Sequence, residues 1–188
     1  MHAPASLAWP PASFPLLSSG LLQARAFAPG DAPALLAMRS SAVQMKYVPR
    51  PLATSLTDAE ALLQQWQEDT IAGRALHWAL QLSHSPTLIG HILLFNLRPA
   101  HSRAEIGYMI AAEHAGKGLA TTAVQLVSRY AFAQGFHSLE AIVHPHNAAS
   151  IRVLQKAGFR QEAHFREDFY WNGQFEDSLV FGRLATDL

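Results

Sequence analysis

The sequence predicts an α/β protein of layered α+β type: a mixed, mostly antiparallel central sheet of about seven strands flanked by about four helices. Three observations point there. The order of elements is strand, two helices, a run of strands, then helix, strand, helix and a terminal strand pair. Two of the links are hairpin-like: SHSP joins ALHWALQL to TLIGHILLFN, and Asn172-Gly173 joins RQEAHFREDFYW to QFEDSLVFGRL. The chain has 188 residues, 49% of them hydrophobic, which suits one domain with a substantial core.

Residues 1–20 are proline-rich with no basic stretch ahead of an apolar block, so they are expected to be an extended or poorly ordered lead-in rather than a secretion signal. Residues 21–188 form the single folded domain. LLQARAF is the first strand. Asp31 is placed to N-cap a helix through APALLAMRSSAVQM. Thr57-Asp58-Ala59-Glu60 has capping-box spacing at the head of a second helix carrying Leu62, Leu63 and Trp66, and Gly73 ends it. ALHWALQL, TLIGHILLFN and AEIGYMIA are the next strands. A helix is expected from about Lys117 to Gln134, its apolar residues Leu119, Ala123, Val127, Tyr130 and Ala131 recurring at helical spacing. SLEAIV is a short strand, AASIRVLQKA a helix ending at Gly158, and the Asn-Gly hairpin closes the chain.

Composition removes several function classes. Lys+Arg and Asp+Glu number 14 each, so the basic excess of a nucleic-acid binder is missing. There is no cysteine, which rules out disulfides, thiolate metal sites and cysteine nucleophiles. The longest apolar runs, such as LIGHILLF, are too short to cross a bilayer. A cytoplasmic protein without nucleic-acid or membrane partners is expected. His144-Pro145-His146 lacks the carboxylate partner or HExxH pattern of a metal centre, so no metal is expected.

The chemistry concentrates at Gly116-Lys117-Gly118, where a strand hands over to a helix. First-turn amides of a helix lack internal partners and welcome an anion, and glycines let a bulky anion approach the backbone. A seat for a phosphate or pyrophosphate is one reading, and a tight turn is the other. The triphosphatase phosphate loop needs a Gly-Lys-Ser/Thr ending that is missing, and the dinucleotide fingerprint needs Gly or Ala where Thr121 stands.

EIGYMIAAEHAGKGLATTAV, then HPHNAASIRVLQKAGFRQEAHFRE and YWNGQFEDSLVF, resemble the GNAT acetyltransferase superfamily, and more narrowly its RimJ/RimL branch, whose named members acetylate the N-termini of ribosomal proteins. The likeness runs from about Leu22 to Leu184. It implies a GNAT-like fold and acetyl-coenzyme A (acetyl-CoA) as cosubstrate, its pyrophosphate held by Gly116, Lys117, Gly118, Leu119, Ala120 and Thr121. It implies that the strand EIGYMIA parts from its neighbour, so that the pantetheine arm pairs with the backbone of Met109, Ile110 and Ala111. It also implies that Asn147 bonds the pantetheine arm and that Ser150 lies near the coenzyme sulfur. Asn147 equally suits an N-cap, with Ser150 in the first turn. Ala115 departs from the family pattern, which often has Gln or Arg there.

Direct transfer to an amine is helped by a base within hydrogen-bond reach. Glu105 is the first candidate, sharing a strand face with Gly107 and Met109; a glutamate that only attracts a cationic substrate is the alternative. His144 and His146 come second, and ordered water is a third route. The expected acceptor is a protein or peptide N-terminal amine. A small amine (polyamine, amino sugar or aminoglycoside) and a non-catalytic coenzyme A-binding regulatory module remain the rivals, with a monomer or homodimer as the assembly.

Overall fold

The computed structural model describes residues 7–187. Its sheet runs β1 (Leu17–Ser19), β2 (Leu22–Arg25), β3 (Leu76–Leu82), β4 (Ser85–Arg98), β5 (Arg103–Ile110), β6 (Ser138–Val143), β8 (Gln174–Leu184), β7 (Arg160–Trp171) in spatial order. Every neighbouring pair is antiparallel except β5–β6. The helices are α1 (Ala32–Ser40), α2 (Leu56–Ile71), α3 (Leu119–Ala133) and α4 (Ala148–Lys156). The mixed, mostly antiparallel α/β architecture is the expected one, with eight strands in place of seven.

Strand alternation sorts side chains into two cores. Trp78, Ile92, Leu94, Ile106 and Phe181 pack with Val124 and Val127 of α3 and Leu154 of α4. On the opposite face, Ala79, Leu88 and Met109 pack with Leu35 and Met38 of α1 and Leu63 and Trp66 of α2. Helices on both faces thus pin β3, β4 and β5, which hold one wall of the site.

Residues 7–20 of the lead-in are extended and packed on the fold, the first of the two expected alternatives. Trp9 Nε1 donates to Gly73 O at 2.8 Å, and Trp78 Nε1 donates to Pro15 O at 2.8 Å. Phe14 meets the Trp78 ring edge at 6.1 Å, and Leu17–Ser19 supplies the extra strand. Aromatic burial outweighs the freedom that prolines usually signal. Residues 1–6 of that expectation lie outside the described residues.

Two caps differ from expectation. The N-cap of α2 is Ser55, whose Oγ accepts from Asp58 N at 3.2 Å while Asp58 Oδ2 accepts from Ser55 N at 3.1 Å. Asp31 holds the N-cap position of α1, but its side chain makes no cap bond there. Its carboxylate accepts from Ala28 N at 2.8 Å and grips the Arg25 guanidinium at 2.7 and 2.8 Å. Gly73 ends α2 at φ 67°, as expected. Among the described residues no helix is long and apolar enough to cross a membrane.

Candidate active site

β5 and β6 share only three rungs: Arg103↔Ser138, Ala104↔Leu139 and Glu105↔Glu140. Beyond the last, β5 stays with β4 as far as Ile110 while β6 follows β8 to Val143, so the strands part. The parting leaves backbone groups of β5 without a strand partner. Ala111 N donates to Ile89 O at 2.8 Å, and a Cβ on Gly90 would come 2.4 Å from Met109 O. Met109 and Ala111 therefore turn their backbone toward β4. By alternation, Tyr108 and Ile110 turn theirs into the cleft. Of the expected set, Ile110 has its backbone on the cleft side, as Tyr108 does, while Met109 and Ala111 have theirs toward β4. The Ile110 carbonyl accepts from Gln44 Nε2 at 3.2 Å.

The glycine junction lies between β5 and α3. Gly116 has φ 75° and Gly118 φ 78°, and a Cβ on either would meet nothing within 4 Å. Positive φ accounts for glycine at both positions, and the open space leaves room for a ligand. Gly118 is the N-cap of α3 and offers no side chain to its amides. Thr122 N donates to Gly118 O at 3.0 Å, while the amides of Leu119, Ala120 and Thr121 find no acceptor among the described residues. Lys117 Nζ donates to Glu113 O at 2.9 Å. Unpaired amides at a helix N-terminus with an open approach fit a diphosphate. The helix begins at Leu119 rather than Lys117, which puts these amides at its first turn.

Across the cleft, Asn147 Oδ1 accepts from Ser150 N at 3.1 Å and N-caps α4. Its Nδ2 keeps donors for a ligand. Ser150 Oγ lies 2.8 Å from Tyr108 Oη, so the two hydroxyls bridge β5 and α4. Burial pushes the Tyr108 phenol up to about 12, against the opposing Ser150 hydrogen bond, so it stays protonated. Sequence reasoning did not single out Tyr108. The available signal was a tyrosine inside an apolar strand, whose hydroxyl needs a partner once buried.

Glu105 stands where the strands part, 8% exposed, on the same face as Met109. β4 breaks register between Phe95 and Arg98, and Asn96, at φ 46°, donates from Nδ2 to Glu105 Oε2 at 2.8 Å. Burial raises the Glu105 pKa above its ordinary value and Glu140 adds repulsion; the Asn96 hydrogen bond and the Arg98 and Arg50 charges oppose them.

His144 follows β6 and its ring is fixed at both nitrogens. Nδ1 accepts from His146 N at 3.1 Å, so Nε2 carries the proton and donates to Glu176 at 2.9 Å. Both contacts orient the His144 ring. It borders a cavity of about 460 Å³ shared with Tyr47, Phe169 and Trp171.

Comparison with known proteins fits this geometry. Residues 22–160 match the acetyltransferase (GNAT) domain family. The chain is 39% identical over 127 residues to the probable N-acetyltransferase YjcK of Bacillus subtilis (strain 168), covering 66% of this chain and 70% of YjcK. It is 34% identical over 91 residues to spermidine N(1)-acetyltransferase of Escherichia coli (strain K12), covering 48% of this chain and 49% of that enzyme. Among solved structures, Mycobacterium smegmatis RimJ in complex with CoA-disulfide superimposes with a TM-score of 0.82 at 25% identity, over 96% of this chain and 90% of RimJ. The parted strands, the glycine junction and these likenesses agree: the chain belongs to the GNAT family and is an N-acetyltransferase.

Proposed function

We propose that this enzyme transfers the acetyl group of acetyl-CoA directly to a primary amine, with a protein or peptide N-terminus as its first acceptor. One observation carries the reading: strands β5 and β6 part beside a helix start whose first amides have no partner among the described residues. An extended ligand ending in a diphosphate suits both features.

Acetyl-CoA supplies an acetyl group activated as a thioester. Leu119, Ala120 and Thr121 donate their amides to the pyrophosphate, with Gly116 and Gly118 allowing its approach and Lys117 nearby. The backbone of Tyr108 and Ile110, with Asn147 Nδ2, holds the pantetheine arm. The Ile110 N–H polarises the thioester carbonyl, a donor fixed before reaction and therefore effective. Glu105 takes the proton that the amine loses as its nitrogen bonds the carbonyl carbon; burial raises its pKa, which makes it a stronger base. Ser150, held by Tyr108, gives a proton to the sulfur as the carbon–sulfur bond breaks, and is reprotonated from solvent. No acyl-enzyme forms in this scheme.

The test is an acetyl-CoA consumption screen against N-terminal peptides, spermidine and aminoglycosides. Turnover of peptides is expected. Turnover confined to spermidine or aminoglycosides would replace the peptide acceptor with a small amine, which the likeness to the E. coli spermidine enzyme favours. Coenzyme A binding with no turnover on any amine would leave a regulatory module.

A further inference from the structure

The cavity beside His144 is walled by rings rather than by carboxylates. Tyr47, His144, His146, Phe169 and Trp171 line its 460 Å³, a volume in the range of small-ligand sites. Tyr47 and His144 have centroids 5.0 Å apart and His144 and His146 5.3 Å, so these rings run on from one another. The loop between α1 and α2 brings Tyr47, the loop after β6 brings His144, and the β7–β8 hairpin brings Trp171. Three separate segments thus converge on one space next to the parted strands.

Charge separates the amine classes. Among the described residues Glu176 is the one acid lining the cavity, and it is engaged by His144 Nε2 at 2.9 Å and by the Gln174 side-chain amide. Nearby, Glu140 is paired with Arg103 and Arg98, and Glu105 is bonded to Asn96. A polyamine brings several ammonium groups that each need compensation when taken out of water. A ring face can hold an ammonium, but Lys46 Nζ already sits 5.1 Å from the Tyr47 centroid and would repel another cation there.

We infer that the acceptor is a monoamine with an aromatic group close to its nitrogen, in the first instance a peptide whose first residue is Phe, Tyr or Trp. Its ring packs among Tyr47, His144 and Trp171, aromatic pairs gaining from edge and offset contacts beyond the area they bury. The Asn172 side chain, on the cavity wall, serves the peptide backbone. Lys46 disfavours polycations. This rests on the reading of the chain as an amine acetyltransferase.

The test compares Phe-Ala-Ala, Ala-Ala-Ala and spermidine, by acetylation kinetics and by calorimetric binding in the presence of coenzyme A. For the wild type, kcat/KM for the Phe peptide is expected to exceed that for the Ala peptide by at least about tenfold, with spermidine the poorest. Tyr47→Ala and Trp171→Ala should each shrink the preference several-fold while coenzyme A affinity, which reports the folded state, holds. Equal or better use of the Ala peptide, or of spermidine, overturns the inference and leaves the transferase reading standing. Tight, ring-dependent binding of the Phe peptide without acetylation does the reverse. Absence of both binding and turnover for all three compounds overturns the inference through its binding arm, whatever the fate of the activity.

Discussion

Glu105 and Glu140 are register partners on the last rung that β5 shares with β6, both nearly buried and both on the α1–α2 side of the sheet. Glu140 is held by Arg103 and by Arg98, the latter at 3.5 Å. Among the described residues Glu105 has only the Asn96 amide as a direct partner. One carboxylate is therefore neutralised by cations and the other is left with a raised pKa. The difference in partners gives Glu140 a structural place and leaves Glu105 as the candidate for chemistry.

Glu105 as base makes a pH prediction. A base must be deprotonated, so a raised pKa moves its limb in kcat/KM above the usual carboxylate range and activity falls as pH drops through it. Glu105→Gln should remove that limb and lower the rate by roughly 10²–10⁴-fold, with coenzyme A affinity kept. The amine's own ionisation appears in both profiles, so the difference between them is what counts. Superimposable profiles would exclude Glu105.

Gly118 carries the second prediction. With φ 78° and open space around it, Gly118→Ala should fold at a cost of about 1–2 kcal/mol. Its methyl group, placed where the diphosphate approaches, should weaken coenzyme A binding at least about tenfold by calorimetry. Gly20→Ala, at φ 57° with equally open surroundings in the β1–β2 turn, supplies the comparison for backbone strain alone. Coenzyme A affinity that tracks strain equally in both variants would remove the junction as the seat.

Features encoded within a few residues were legible in the sequence. The glycine junction, the Asn172-Gly173 hairpin and the α4 cap at Asn147 each depend on neighbours along the chain. The first cap of α2 was misplaced because two overlapping patterns, Ser55 with Asp58 and Thr57 with Glu60, satisfy the same spacing. Which β5 amides face the cleft was not legible, because alternation gives two parities and β4 chooses between them through Ala111 N and Ile89 O. Tyr108 meets Ser150 across 42 positions of sequence, and no local pattern announces such a pair.

Two buried histidines give a stability prediction. Trp66 stacks on His77 at 5.0 Å and lies 4.9 Å from His91. Burial holds His77 down to about 4 against the Asp69 charge, and holds His91 down to about 3 with help from Arg39 and His77. The unfolded chain binds these protons near pH 6.5 and the folded chain does not, so stability is full above that pH and falls as pH drops toward 4. At pH 5 each histidine should cost roughly 2 kcal/mol. Denaturant melts of His91→Leu should show a shallower loss between pH 7 and 5 than the wild type; equal slopes would refute the assignment.

The Tyr108–Ser150 pair is expected to separate chemistry from binding. Tyr108 Oη fixes the Ser150 hydroxyl at 2.8 Å, while the diphosphate seat lies at the start of α3 and does not involve either side chain. Tyr108→Phe keeps the ring in its core and removes only the hydroxyl's bonds to Ser150 Oγ and Ser150 O, so coenzyme A affinity should hold. A misdirected Ser150 then donates less well to the departing sulfur, and kcat should fall about tenfold or more, as for other lost general acids. Ser150→Ala should lower kcat further, and adding Tyr108→Phe to it should do little more, because the tyrosine acts only through the serine. Multiplying losses in the double variant would show that Tyr108 works by a separate route, and an unchanged kcat in both single variants would move the leaving-group proton to solvent.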